Sequence, residues 1–265
     1  MGPLSGKRAL VCGSTRGIGR ACAFELARLG AQVTLFARDE AALRRVRDEL
    51  PAPNPSPTAP RHDYLRADFA DPPSVRAAVI RHLETTGPIQ ILLNNTGGPP
   101  AGPVFIADPD AFHAAFSSHL ICNQLLAQAL VPGMKESGYG RIINIISTSV
   151  KQPLKDLGVS NTIRAAVANW AKTLASELAP FGITVNNVLP GSTMTGRLSS
   201  LIQARARAAG VPVEEIEREM KREIPAGRFG TPEEIAAGVG FLASPAASYI
   251  TGINLPVDGG RTSSL

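Results

Sequence analysis

Ser160 and Arg164 stand four residues apart in the run LGVSNTIRAAVANWAKTL (157–174). Ile163, Val167, Trp170 and Leu174 recur at helical spacing, so the run reads as an amphipathic helix with both polar residues on one face of its head. The hydroxyl there can hold a water or a substrate oxygen. The guanidinium keeps its positive charge and so cannot shuttle a proton.

A second candidate is GSTRGIG (13–19), which follows the apolar run RALVCG and opens the helical pattern GIGRACAFELARLG. Gly13, Gly17 and Gly19 let the backbone turn tightly and approach a pyrophosphate, with Ser14, Arg16 and Ile18 between them. The helix N-terminus then adds free N–H groups and a favourable dipole. In this strand–turn–helix setting the loop predicts a dinucleotide site. The next strand ends in FARDE, where an NAD-type site would place an acidic residue for the ribose 2′-hydroxyl. Here Ala37 and Arg38 follow instead, and Arg16 lies in the glycine loop. Two fixed cations suit a 2′-phosphate, so NADP(H) is favoured over NAD(H); two solvated surface arginines are the alternative.

The elements that must position these groups alternate. AQVTLFAR, HDYLRAD, IQILLNN, GRIINIIS and ITVNNVLPG read as further strands. DEAALRRVRDEL and segments near 72–86, 109–136 and 160–180 read as helices. Apolar strands alternating with helices predict a parallel sheet covered on both faces, with right-handed crossovers. The segment PAPNPSPTAP (51–60), with five prolines, reads as an extended surface connection. TPEEIA marks a helix start, with Thr231 as cap and Glu234 three residues on.

Composition narrows the function. The 265 residues are 44% hydrophobic and 18% charged, an ordinary globule rather than a disordered chain. The net charge of +5 is scattered rather than gathered into a patch, which argues against a nucleic-acid surface. No apolar run reaches membrane-spanning length and no secretory h-region precedes the first strand, so a cytoplasmic protein is expected. Cys12, Cys22 and Cys122 have no metal spacing and read as small core residues; no metal is expected.

CGSTRGIG (12–19), Asp68 after the third strand, LLNNTGG (92–98), GRIINIIS (140–147), LASELAPFGITVNNVLPGS (174–192) and the run 227–260 together resemble the short-chain dehydrogenase/reductase family, in its 3-oxoacyl-[acyl-carrier-protein] reductase-like branch. The resemblance spans nearly the whole chain. It implies an α/β fold, a Rossmann-type doubly wound parallel sheet of about seven strands in a single domain. It also implies cofactor roles. Gly13, Ser14, Arg16, Gly17, Ile18 and Gly19 match the phosphate loop, and Asp68 and Phe69 the adenine pocket. Asn94, Thr96 and Gly97 match the element beside the adenosine ribose, and Pro190, Gly191 and Thr195 the turn around the nicotinamide carboxamide.

The catalytic half of the family pattern departs. Ser147 matches the family serine, but the tyrosine expected thirteen positions later is Ser160, and the lysine four further on is Arg164. The family asparagine falls at His119. A phenol near pKa 10 is a far better acid than a serine hydroxyl. His119, with an ordinary pKa near 6.5, is therefore the best replacement proton donor; alternatively it only fills a kink in its helix. Lys151 and Lys155, on the loop before the helix, read as solvated.

Two functions stay open. One is an NADP(H)-dependent oxidoreductase acting on a small carbonyl or alcohol substrate, with Ser147 and Arg164 holding the oxyanion and Arg164 also reaching the nicotinamide ribose. The other is a dinucleotide-binding sensor or oligomeric partner without redox chemistry. The resemblance further implies a substrate lid at 193–225 and a homotetramer or homodimer. Nucleic-acid and membrane partners are not expected.

Overall fold

A computed structural model of the chain describes residues 2–52 and 61–264. The strands are β1 (Arg8–Cys12), β2 (Gln32–Ala37), β3 (Asp63–Arg66), β4 (Ile91–Asn94), β5 (Gly140–Ile145), β6 (Ile183–Pro190) and β7 (Asn254–Val257). They form one seven-stranded sheet in the order β3-β2-β1-β4-β5-β6-β7, every pairing parallel. This is the doubly wound arrangement, and the order reverses between β1 and β4. Most of the proline-rich segment read as an extended connection, residues 53–60, lies outside the described residues.

The helices are α1 (Gly17–Arg28), α2 (Glu40–Glu49), α3 (Pro72–Thr86), α4 (Pro109–Phe116), α5 (Cys122–Glu136), α6 (Gly158–Leu178), α7 (Gly196–Ala209), α8 (Val213–Arg222) and α9 (Pro232–Ala243). The sheet buries both faces, and strand residues alternate between two cores. Ala9, Val11, Val33, Leu35, Leu93 and Ile143 pack on one side with α1 and α9. Leu10, Phe36, Leu92, Ile142 and Val185 pack on the other with α3, α5 and α6. The three cysteines are free and buried, as expected of small core residues. The helix expected over 109–136 is interrupted. Ser117–Ile121 form a π turn between α4 and α5, an inserted residue that apolar spacing does not reveal. Helices α7 and α8 share a small core of their own, built on Leu198, Ile202, Ile216, Met220 and Phe229. The predicted cap at Thr231 is present as a full capping box with Glu234. No helix among the described residues is long and apolar enough to cross a membrane.

One polar row crosses the apolar sheet. Asn94, Asn144, Asn187 and Asn254 lie side by side on β4, β5, β6 and β7. Asn94 Nδ2 donates to Asn144 Oδ1 at 2.8 Å, Asn144 Nδ2 to Asn187 Oδ1 at 2.9 Å, and Asn187 Nδ2 to Asn254 Oδ1 at 2.8 Å. The Asn144→Ala variant loses two of these bonds and leaves buried amide groups without partners. We expect it to lower stability by about 2–4 kcal/mol, read as the shift in urea unfolding midpoint at unchanged slope.

Candidate active site

The glycine loop bends because its backbone must. Gly13 has φ +61°, and a Cβ there would stand 2.6 Å from the Asn95 carbonyl oxygen. A Cβ on Gly19 would stand 2.2 Å from the Gly13 oxygen. These positions accept only glycine, and the backbone they expose is the cradle a pyrophosphate needs. Gly17 opens α1, and Thr195 packs across it, since a Cβ on Gly17 would meet the Thr195 methyl at 3.4 Å. The turn after β6 therefore closes over the phosphate loop. Thr195 also caps α7, its Oγ1 accepting from the Leu198 N–H, and the Gly191 N–H donates to the Val257 carbonyl at 3.0 Å. Ile18 is partly buried against the core beside α1.

Two expected cofactor residues serve the scaffold instead. The Ser14 side chain is fully buried and its Oγ accepts from the Phe36 N–H at 3.0 Å, so it ties the loop to β2. The Asn94 side chain belongs to the amide row inside the sheet. Its neighbour Asn95 does what sequence reasoning missed: its Nδ2 donates to the Cys12 and Gly13 carbonyls at 3.3 and 3.4 Å, holding the glycine loop to β4.

At the far end of the loop, Arg16 and Arg38 are exposed and belong to no ion pair among the described residues. Three arginines on α1 and α2 do: Arg20 with Glu49, Arg44 with Glu40, and Arg47 with Asp48. Asp68 is exposed, with Oδ1 accepting from the Ala70 N–H. Phe69 packs on Phe36, ring centroids 5.2 Å apart.

On the catalytic side, the structure brings His119, Arg164, Thr96 and Asn94 together around a cavity with room for about one water, closed also by Asn95, Asn123 and Ile145. The π turn carries His119 into this wall, where it is almost fully buried. His119 Nδ1 lies 2.5 Å from Thr96 Oγ1. Arg164 Nη1 donates to the Ile145 carbonyl at 2.7 Å, so the guanidinium caps the end of β5. Asn94 Oδ1, buried in the cavity wall, has no hydrogen-bond partner among the described residues. Ser147 ends β5's following turn, and its Oγ accepts from the Ser149 N–H at 3.1 Å, which leaves its own proton free to donate. Ser160 is buried near the head of α6, and its hydroxyl makes no hydrogen bond among the described residues. Neither serine lines the small cavity.

Electrostatics revise the expected role of His119. Burial, then the charge of Arg164, push its pKa down to about 3; a hydrogen bond with the Gly97 backbone pulls upward, and Arg197 adds to the fall. His119 is thus neutral at physiological pH and is not the imidazolium donor its ordinary pKa suggests. Burial and then Arg197 bring Arg164 down to about 10, and it stays charged. Arg197, unmarked in the sequence, reaches from the first turn of α7 to the Pro99 carbonyl at 2.9 Å. No tyrosine lines either cavity described here: Tyr139 donates to the Ala243 carbonyl, Tyr64 contacts Arg44 and Glu40, and Tyr249 is fully exposed.

The comparisons with known proteins agree with this geometry. The family profile described as Enoyl-(Acyl carrier protein) reductase matches residues 13–262. The chain is 34% identical to the cyclohexanol dehydrogenase of Rhodococcus sp. (strain TK6), over 98% of this chain and 97% of that protein. It is 33% identical to the 3-oxoacyl-[acyl-carrier-protein] reductase FabG of Vibrio cholerae, over 97% and 98%. The solved L-sorbose reductase of Gluconobacter frateurii, complexed with NADPH and L-sorbose, superposes with a TM-score of 0.90 at 31% identity, covering 100% of this chain and 99% of that one. A doubly wound sheet, a glycine cradle at its switch point and full-length similarity to such enzymes together place this chain in the short-chain dehydrogenase/reductase family, in its 3-oxoacyl-[acyl-carrier-protein] reductase-like branch.

Proposed function

We propose that the protein is an NADP(H)-dependent oxidoreductase that interconverts a carbonyl and an alcohol at a non-standard active site. The observation that carries the cofactor choice is that Arg16, in the glycine loop, and Arg38, just after β2, are exposed and belong to no ion pair among the described residues. The cradle fits the group: glycine backbone at Gly13, Gly17 and Gly19 for the pyrophosphate, Asp68 and Phe69 for the adenine, Thr96 and Gly97 along the ribose, and Pro190, Gly191 and Thr195 for the carboxamide. When bound, the nicotinamide supplies or accepts the hydride. Ser147 donates its free O–H to the substrate oxygen, and Arg164 stabilises the charge that develops there. Ser160 holds a water or the substrate oxygen from the α6 side. His119 acts as a neutral wall that orients Thr96. The proton comes from water, for which the site has room beside Asn94 and Arg164. The α7–α8 unit, with its separate core, serves as the lid over 193–225. We place the protein in the cytoplasm as a homotetramer or homodimer; exposed Phe116, Ile121, Phe241 and Tyr249 offer apolar contact surface.

A binding protein without redox activity is the second reading. It is favoured by one observation: the charged and titratable groups at the small cavity sit at about 3 and about 10, and none is poised near neutrality.

Calorimetry decides the cofactor. We expect NADPH to bind about 10- to 100-fold tighter than NADH, and the double variant Arg16→Ala/Arg38→Ala to erase the difference. Equal affinities in the unaltered protein would remove the phosphate role. For the reaction, Arg164→Ala should lower kcat/KM by about 10²–10³-fold, as loss of an oxyanion donor does. Between about pH 5 and pH 8, kcat/KM for reduction should stay flat, since neither His119 nor Arg164 titrates there. A limb near pH 6.5 that disappears in His119→Asn would return the proton-donor role to His119.

A further inference from the structure

Arg164 and Arg197 each have five N–H donors, and each donates to one backbone carbonyl, of Ile145 and Pro99 respectively. Neither belongs to an ion pair among the described residues. No aspartate or glutamate lines either cavity at the site. The second cavity, of about 490 Å³, lies between the loop after β4 and α4, and its walls are mostly small and apolar: Ala70, Pro99, Pro100, Ala111, Ala114 and Ala115. His119 lines both cavities, so they adjoin.

Arg197 lines neither cavity but stands beside the larger one. It crosses from α7 to the carbonyl of Pro99, which itself lines the larger cavity. Its guanidinium lies against Gly98, where a Cβ would stand 2.4 Å from Nη1. It also occupies the first turn of α7, where the helix dipole opposes a cation and welcomes an anion. A cation kept there, beside a second one on α6, has no carboxylate partner among the described residues.

We propose that the substrate provides one: an oxo acid, or the matching hydroxy acid, whose carboxylate is held by the Arg197 fork and whose reacting oxygen faces Arg164. This rests on the oxidoreductase reading above and names its substrate class. The planar guanidinium matches a carboxylate bidentately, which lysine would not.

The test compares 2-oxo and 4-oxo acids with their methyl esters, as binding by calorimetry and, separately, as NADPH oxidation. Binding is read on the protein alone and on the protein saturated with NADP⁺. We expect each acid to bind about tenfold or more tighter than its ester. Arg197→Gln should bring that ratio close to one, and Arg197→Lys, which keeps charge but loses the fork, should leave an intermediate ratio; either variant keeps the test usable if the other fails to fold. An acid-to-ester ratio near one in the unaltered protein overturns the proposal. So does an Arg197→Gln variant that loses NADPH affinity as strongly as acid affinity, which would assign the guanidinium to the cofactor. Preferential acid binding without NADPH oxidation would sink the oxidoreductase reading and leave the anion site standing.

Discussion

The register of β4, β5, β6 and β7 rests on the row of four asparagine amides. Strands buried on both faces read as almost unbroken apolar runs, so the usual inside–outside alternation says little about which residue faces which. ILLN, GRIINI and ITVNNVLP would bury well in several alignments. Only one alignment joins Asn94, Asn144, Asn187 and Asn254 in an unbroken chain of hydrogen bonds. A slip would bury amide groups without partners, each costing about 1–3 kcal/mol. The row therefore sets the relative heights of the ends of β4, β5 and β6. Those ends carry Thr96, Ser147 and the Pro190–Gly191 turn, and the distances among them are inherited from the row.

The same row accounts for the division of labour between Asn94 and Asn95. Consecutive strand residues face opposite ways, so only one of the pair can join the amide chain. Asn94 joins it, and Asn95 turns to the glycine loop, clamping the Cys12 and Gly13 carbonyls. Sheet register and cofactor cradle are thus fixed by two adjacent amides, one for each.

How much was legible in the sequence follows from which interactions are local. The glycine loop, the alternation of strand and helix and the capping box at Thr231 depend on residues within a few positions of one another, and all appear where expected. The roles that shifted depend on distant partners. Ser14 is drawn inward by an N–H 22 positions away, and the Arg197 contact spans 98 positions. The π turn leaves no mark, because one extra residue in a helix changes the phase of the apolar pattern only slightly. The signal that could have exposed the Ser14 role was its place at the end of a fully apolar strand, where a small hydroxyl more often satisfies backbone than faces water.

The fate of His119 shows why residue type alone misleads at such a site. Its ordinary pKa near 6.5 makes it look like the natural acid of the site. Yet burial, and then the charge of Arg164, push its pKa down, and a buried imidazole next to a permanent cation has no reason to take a second charge. A fixed cation at 164 thus suits a developing oxyanion and adds to the burial that disfavours the imidazolium form of His119. What such a field does favour is an anion. A site that concentrates Arg164 and Arg197 without a carboxylate is poised for negative charge, whether it develops on a reacting oxygen or arrives with the ligand. The proton that completes the chemistry then comes from water, whose supply does not depend on a titrating side chain.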